Sequence, residues 1–126
     1  MTYVDGFLLP LPKKNLAAYR AMARKACAIW RDHGALDYRE CVGDDFSADF
    51  CLPFTKSAGV KSGEVVVIAW ILYKSRSHRD KVNAAVMKDP RMNKMLGKNQ
   101  KMPFDCKRMA YGGFKTLVEL KASKKN

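Results

Sequence analysis

Residues 64–73 read Glu-Val-Val-Val-Ile-Ala-Trp-Ile-Leu-Tyr, and this stretch decides the fold. The residues after Glu64 are all apolar and most are β-branched or aromatic, which is typical of a buried β-strand. Successive side chains of a strand point to opposite sides of its sheet, and here both sets are apolar. Such a strand needs cover on both faces.

On the N-terminal side of this strand, the periodicity predicts a β-α-β unit. Apolar residues alternate along a strand at 3–11, where Asp5 interrupts an otherwise apolar face. They then recur every three or four positions along a helix that starts at an Asn15 cap and ends at His33. A second strand is expected at 35–43, followed by a connection rich in Asp, Ser and Gly.

On the C-terminal side, the pattern predicts two helices and a fourth strand. Ser77 begins a sequence similar to a capping box, so a helix is expected to open there. Asp89 followed by proline is typical of a second helix start, and this short helix should close at Gly97. The last strand is expected at 107–119, where the pair Gly112-Gly113 predicts a bulge or a close backbone approach.

The order β-α-β-β-α-β predicts one α+β domain of ferredoxin-like architecture over residues 1–120. Strand one should lie between strands three and four of an antiparallel sheet. Two helices should cover one face, with the short extra helix before the last strand. A second copy of the chain is expected to cover the other face, which gives a homodimeric α/β barrel. Residues 121–126 form a basic tail that we expect to be disordered.

The charge is large and uneven. The chain has a net charge of +12, and residues 64–126 carry fifteen Lys/Arg against five Asp/Glu, or +10. A C-terminal half with this much positive charge can attract phosphate groups. However, the eleven Lys/Arg between residues 74 and 108 have only Phe104 as an aromatic neighbour. Proteins that bind single strands interleave positive charge with stacking rings, so nucleic acid is disfavoured as a partner.

The remaining composition excludes several classes of protein. The four cysteines contain no C-x-x-C pair and the chain has only two histidines, so we predict no metal site and no cofactor. No secretion signal precedes the first strand, and no apolar run reaches the roughly 18 residues that span a bilayer. The sequence therefore predicts a cytoplasmic protein with free thiols and no membrane partner.

Five stretches of sequence are distinctive: residues 3–7, 34–36, 40–41, 89–92 and 102–114. They resemble the YbaA-like family of small bacterial proteins, and the resemblance spans nearly the whole chain. It implies the fold of the dimeric α/β-barrel group, in agreement with the pattern above. It implies no activity, because the biochemical role of that family is unassigned. Residues 46–62 resemble the family least.

A charged residue on an apolar strand face is an informative site candidate, because burying a charge is costly unless the charge is paired. Asp5 lies in the middle of strand one, and Arg108 lies near the start of strand four, its predicted neighbour. Two interpretations stay open: a cross-strand ion pair that fixes the register, or a polar floor of the barrel cavity on which Arg108 orients an anionic ligand. Glu40, Trp70 and Tyr111 are further candidates to line this cavity.

An enzymatic alternative follows from the fold group. Its cofactor-independent monooxygenases use an Asn, a Trp and a His from strand one, strand three and the second helix. Asp5, Trp70 and His78 occupy similar elements here and are the candidate catalytic residues. The change from Asn to Asp removes an amide donor from that set.

The sequence therefore predicts a homodimer that binds a small metabolite in the barrel cavity, an anionic one if Arg108 takes part. Enzymatic activity is left undecided. The alternatives are a structural or interaction protein without a ligand, a monooxygenase-like enzyme, and nonspecific nucleic-acid binding through the basic C-terminal half.

Overall fold

The computed structural model describes residues 1–97 and 100–121, which form a four-stranded antiparallel sheet with helices on one face. The strands are β1 (Tyr3–Pro12), β2 (Asp37–Val42), β3 (Glu64–Tyr73) and β4 (Ala110–Lys115), in the spatial order β2-β3-β1-β4. The helices are α1 (Leu16–Asp32), α2 (Phe54–Ser57), α3 (Arg76–Lys88) and α4 (Pro90–Met95). Short 3₁₀ turns occupy Lys13–Asn15 and Cys106–Arg108. Over the described ranges, no helix is long and apolar enough to cross a membrane.

The ferredoxin-like order of elements is confirmed, and β1 lies between β3 and β4 as predicted. The bounds of β3 match the sequence-based prediction to the residue. The short helix α4 begins as predicted, with Pro90 in its first turn and the Asp89 carboxylate accepting a hydrogen bond from the Arg91 N–H at 2.8 Å. Residues 122–126 of the predicted disordered tail lie outside the described residues.

The register of the sheet separates two faces. Leu9 of β1 lies opposite Val67 of β3, and both are buried beneath the helices. The same face carries the other odd-numbered residues of β1. From above, α1 buries Tyr19, Ala23, Ala26 and Ile29 against this face. We call it the covered face, and the opposite one the open face.

One end of the open face has its own cover. The connection between β2 and β3 runs along it, and the ring of Phe46 lies against Gly43 and Val66. Phe54 at the start of α2 contacts Phe46, with ring centroids 6.3 Å apart. Val66 is consequently 4% exposed. Part of the open face is therefore covered by the chain's own connection, and a second copy on the rest of this face stays a prediction.

Two predicted boundaries are wrong. Helix α3 begins at Arg76 because Ser75, rather than Ser77, accepts the His78 N–H through its side chain, at 3.1 Å. Strand β4 spans only Ala110–Lys115. It ends there because Lys115 lies opposite Tyr3, the first residue of β1, so later residues have no strand to pair with.

The two neighbouring glycines of β4 differ in role. The pairing of β1 with β4 is continuous, so there is no bulge at Gly112-Gly113. Gly113 lies opposite Asp5 on the covered face, and a β-carbon there would collide with the Tyr3 hydroxyl and the Arg79 guanidinium. A β-carbon on Gly112 would meet only the Phe114 ring, at 4.0 Å. The close approach predicted for this pair is therefore confirmed at Gly113.

Because only Gly113 lies under Arg79 and Tyr3, the variants Gly113→Ala and Gly112→Ala form a matched pair that tests this close approach. We expect Gly113→Ala to lower the free energy of unfolding by about 1–3 kcal/mol, because it overpacks a filled site. Gly112→Ala should change the stability of a single protomer by less than about 1 kcal/mol, since within the protomer the added methyl meets only ordinary contact. Urea denaturation of both variants measures the two changes. Equal losses would mean that Arg79 does not lie over β4 in solution.

Candidate functional site

A buried charged pair joins β1 to α3. Asp5 is 1% exposed on the covered face, and its Oδ1 lies 3.2 Å from Nε of Arg79. The side-chain amide of Asn83, one turn further along α3, donates a hydrogen bond to Asp5 Oδ2 at 3.3 Å. A buried carboxylate needs such partners because desolvation otherwise makes its charge costly.

The pair belongs to a polar network between the helices and the sheet. The Trp30 indole N–H on α1 donates to both the Tyr73 hydroxyl on β3 and the Asn83 carbonyl, each at 3.1 Å. The Arg79 guanidinium also donates to the Tyr3 hydroxyl at 3.2 Å. Burial, together with the charge of Asp5, raises the pKa of Tyr73. This phenol therefore stays neutral and able to donate.

The predicted pairing of Asp5 with Arg108 is wrong. Arg108 lies in a 3₁₀ turn before β4, whereas Gly113 occupies the β4 position opposite Asp5. Its guanidinium instead forms two hydrogen bonds to the Glu64 carboxylate, at 2.7 and 2.8 Å, and one to the Gly59 carbonyl at 2.7 Å. Both the register and the anion-binding interpretations of an Asp5–Arg108 pair therefore lose their geometric basis.

The structure also separates the other predicted site residues. Asp5, Glu40 and Tyr111 lie on the covered face, whereas Trp70 points to the open face. The proposed catalytic set of Asp5, Trp70 and His78 is therefore not assembled. His78 has a structural contact instead, because its Nδ1 accepts the Lys74 backbone N–H at 2.9 Å.

Tyr111 is the one predicted residue that joins Asp5. Its ring is 4.9 Å from that of Phe7, its neighbour on β1. Burial and the nearby Asp5 carboxylate raise the pKa of Tyr111. Half of the residue is still exposed at this edge of the sheet. Tyr111 thus lies beside the Asp5 network at the exposed edge of the sheet, on the side away from β2.

Glu40 forms a second polar centre, on the β2 side of the covered face. The Tyr19 hydroxyl donates to its Oε1 at 2.6 Å, and the Tyr38 hydroxyl donates to its Oε2 at 2.7 Å. Burial and the hydrogen bond to Glu40 raise the pKa of Tyr19, and burial and the charge of Glu40 raise that of Tyr38. Both phenols therefore act as neutral donors. Each carboxylate oxygen still has lone-pair capacity for one more donor.

A half-open cavity of about 150 Å³ begins at this carboxylate, between the sheet and the helices. It exists because small residues face each other there: Ala23 and Ala26 on α1, and Ala69 on β3. Most of the remaining wall is aromatic or thioether, and five methionines contribute: Met22, Met92, Met95, Met102 and Met109. Methionine walls adapt their shape to an occupant. An apolar cavity of roughly this size can hold a benzene-sized molecule.

A groove of about 290 Å³ between α1 and β2 reaches Glu40 from outside. Groove and cavity share four lining residues: Tyr19, Ala23, Tyr38 and Glu40. Exposed Arg20 and Arg24, one helical turn apart, lie at the outer wall of the groove, and Cys27 lines it further in. Together the two spaces reach the size of small-molecule pockets, roughly 300–1,000 Å³.

Sequence reasoning found Glu40 but missed its partners and those of Asp5. In the sequence, Tyr19 fits the apolar stripe of the first helix and Tyr38 fits the alternation of the second strand, so neither pattern marks them as donors. The signal was present, because a carboxylate between apolar neighbours on a strand requires donors. Arg79 and Asn83 recur at helical spacing on α3, but nothing in the sequence aligns that helix with Asp5.

Comparisons with known proteins identify relatives of unknown function. A family model described as "Protein of unknown function (DUF1428)" matches residues 2–106. The chain is 40% identical over 119 residues to the uncharacterized protein YbaA of Escherichia coli (strain K12), covering 94% of this chain and 99% of that one. The YbaA of Shigella flexneri gives the same identity and coverage. The resemblance drawn from the motifs is therefore confirmed.

A solved structure supports the fold. Rv0793 from Mycobacterium tuberculosis superposes with a TM-score of 0.51, over 96% of this chain and 100% of that one. The two sequences are 17% identical. At that distance the likeness concerns the α+β architecture alone.

The contact between Arg108 and Glu64 makes the free energy of unfolding depend on pH. Hydrogen bonds from Arg108, and then from the Lys61 N–H, lower the pKa of Glu64 to about 2. The stabilisation is present above the pKa of an unfolded glutamate, about 4.3, and is lost as the pH falls toward 2. We expect Arg108→Gln to be less stable than wild type at neutral pH. By urea denaturation at several pH values, the difference should shrink as the pH falls toward 2, to the part that the pH-independent hydrogen bond to Gly59 contributes. Lys107→Gln is the control, and a difference independent of pH would contradict the assignment.

Proposed function

The chain belongs to the DUF1428 family, whose function is unknown, and we propose from its own residues that it is a homodimer that binds a small molecule between α1 and the sheet. One observation carries the binding proposal. Glu40 is held by two phenols at the point where an outer groove meets an apolar cavity. A carboxylate in that position is available to a ligand.

The chemistry of the walls defines the ligand. The cavity takes an apolar, flat or flexible part, because alanine, aromatic and methionine side chains surround it. Glu40 accepts a hydrogen bond, so the ligand presents a hydroxyl or an N–H group there. Arg20 and Arg24 at the groove favour an anionic outer end. We therefore assign the preference for an anionic ligand, which the sequence analysis linked to Arg108, to Arg20 and Arg24 of α1.

The homodimer proposal rests on the open face. Trp70, Gly6 and Gly112 lie side by side across β3, β1 and β4, so a bulky ring stands next to two positions without side chains. Around them an apolar depression of about 410 Å³ includes Leu8, Ile68 and Phe114. Such a surface is self-complementary, since Trp70 of one copy can enter the glycine depression of the other about a twofold axis.

The binding proposal is tested with 4-hydroxybenzoate, which combines a ring, a donor and an anion. Thermal shift and tryptophan fluorescence titrations measure its affinity, with benzoate as the probe that lacks the donor. We expect wild type to prefer 4-hydroxybenzoate, and Glu40→Gln to reduce its affinity about tenfold, as for loss of a charged hydrogen bond. Glu119→Gln, which makes the same charge change at an exposed site, is the control.

Alkylation by N-ethylmaleimide gives an independent readout of occupancy. Bound probe should slow the reaction of Cys27, which lines the groove, without slowing that of the exposed Cys51 and Cys106. Site-resolved mass spectrometry measures all three rates. The proposal fails if no millimolar probe protects Cys27, or if the Glu40 and Glu119 variants bind alike.

The dimer is tested by sedimentation. We expect wild type to sediment as a dimer at micromolar concentration, with more than about 1,000 Å² buried. Trp70→Lys should give a folded monomer, because it places a charge in the apolar interface. Met87→Lys, at a half-exposed position on α3, should stay dimeric. A monomeric wild type, or a dimeric Trp70→Lys variant, would contradict the open face as the interface.

A further inference from the structure

Charge is segregated across the molecule. Residues 13–32 and 76–95, which include α1, α3 and α4, carry twelve Lys/Arg and three Asp, for a net charge of +9. We call the outer surface of these segments the helix layer. Its three acids are all in ion pairs: Asp32 with Arg31 and Arg91, Asp80 with Arg79, and Asp89 with Arg91 and His33.

Most cations of the helix layer have no such neutralising contact. Within residues 1–97 and 100–121, nine of the twelve are exposed and form no ion pair. They are Lys13, Lys14, Arg20, Arg24, Lys25, Arg76, Lys81, Lys88 and Lys94. By contrast, Asp44, Asp45 and Asp49 lie on the connection after β2, which runs along the open face. The positive potential is therefore concentrated on one side.

Two adjoining grooves shape this surface between α1, α4 and residues 100–103. Their volumes are about 780 and 410 Å³, and they share Lys25, Met95 and Gln100. Lys14 and Lys101 line the first, and Lys94 lines the second together with Arg91. Among the described lining residues of both grooves there is no carboxylate. The floor is apolar and the rim is cationic.

The extent of the charge identifies the partner. The unpaired cations are distributed over the turn before α1, over α1 itself and over α3 and α4, so they are spread too widely for one small anion. Duplex DNA presents a negative charge about every 1.7 Å along its axis, which suits such an array. The aromatic residues of the layer, Tyr19 and Trp30, face the core, so base stacking has no platform.

We propose that the helix layer binds the phosphate backbone of double-stranded nucleic acid, independently of sequence. Sequence analysis disfavoured nucleic acid because the basic segment at 74–108 has so few aromatics. The structure adds the cations of α1 to the same surface, and backbone contact with a duplex requires no stacking. Arg20 and Arg24 belong both to this layer and to the groove of the ligand proposed at Glu40, so the variants that test the layer avoid these two residues.

Fluorescence anisotropy with labelled duplex DNA and duplex RNA at several salt concentrations tests the proposal. Lys25→Glu/Lys94→Glu reverses two charges of the layer, and Lys56→Glu/Lys61→Glu makes the same net-charge change on the connection after β2. We expect the layer variant to bind at least about tenfold more weakly and its log K to depend less steeply on log salt, by roughly two. The control should lose less than about threefold, because salt screens distant charges. Circular dichroism and the corresponding glutamine variants check that folding is intact.

Four results would overturn the proposal that the helix layer binds duplex nucleic acid. Undetectable binding of any duplex at low salt would exclude it, and so would equal losses in the two charge-reversal variants. Tighter binding of polyphosphate, polyglutamate or anionic lipid vesicles than of duplex would assign the surface to that other polyanion. Strong preference for one duplex sequence would contradict a backbone contact.

Discussion

The structure depends on one buried charge, the carboxylate of Asp5 in the middle of the central strand β1. Because it is 1% exposed, it requires partners, and α3 supplies them through Arg79 and Asn83. This requirement places α3 against the β1–β4 side of the sheet. Through Asn83 and Tyr73 it also fixes Trp30 of α1. Gly113 follows from the same constraint, because Arg79 lies where a side chain of β4 would be.

The Asp5 network holds the helices against the β1–β4 side of the sheet. On the β2 side, the helices and the sheet pack less closely. There Ala23 and Ala26 of α1 face Ala69 across a cavity, instead of packing tightly, and Glu40 faces it with its two phenols. A cavity costs stability, roughly 24 cal/mol per Å³ in measured core substitutions. An occupant next to the hydrogen-bonded carboxylate would offset this cost, which is the basis of the ligand that we propose. In that proposal the Asp5 network holds the helices in place and the Glu40 centre binds the ligand.

Much of the fold could be predicted from the sequence, because it depends on local patterns. The two apolar faces of β3 gave its bounds, and the alternation in β1 placed Asp5 on the same face as Phe7 and Leu9, which the structure shows to be the covered face. What failed depends on long-range geometry. Arg108 was aligned with Asp5 by assuming a longer β4, whereas its actual partner Glu64 lies at the start of β3. Tyr19 was missed as a partner of Glu40 because α1 and β2 meet only through tertiary packing, whereas Tyr38 lies two residues before Glu40 on the same strand face and could have been found from the alternation.

The central claim is that a ligand lies between the helices and the sheet, in contact with Glu40. A crystal structure of natively purified protein, at a resolution that shows small molecules, tests this most directly. The account predicts electron density for a small molecule within hydrogen-bond distance of a Glu40 carboxylate oxygen, with its apolar part toward Ala69. Density for a ligand beside Trp70 between two sheets, or a cavity filled only by methionine side chains, would contradict it.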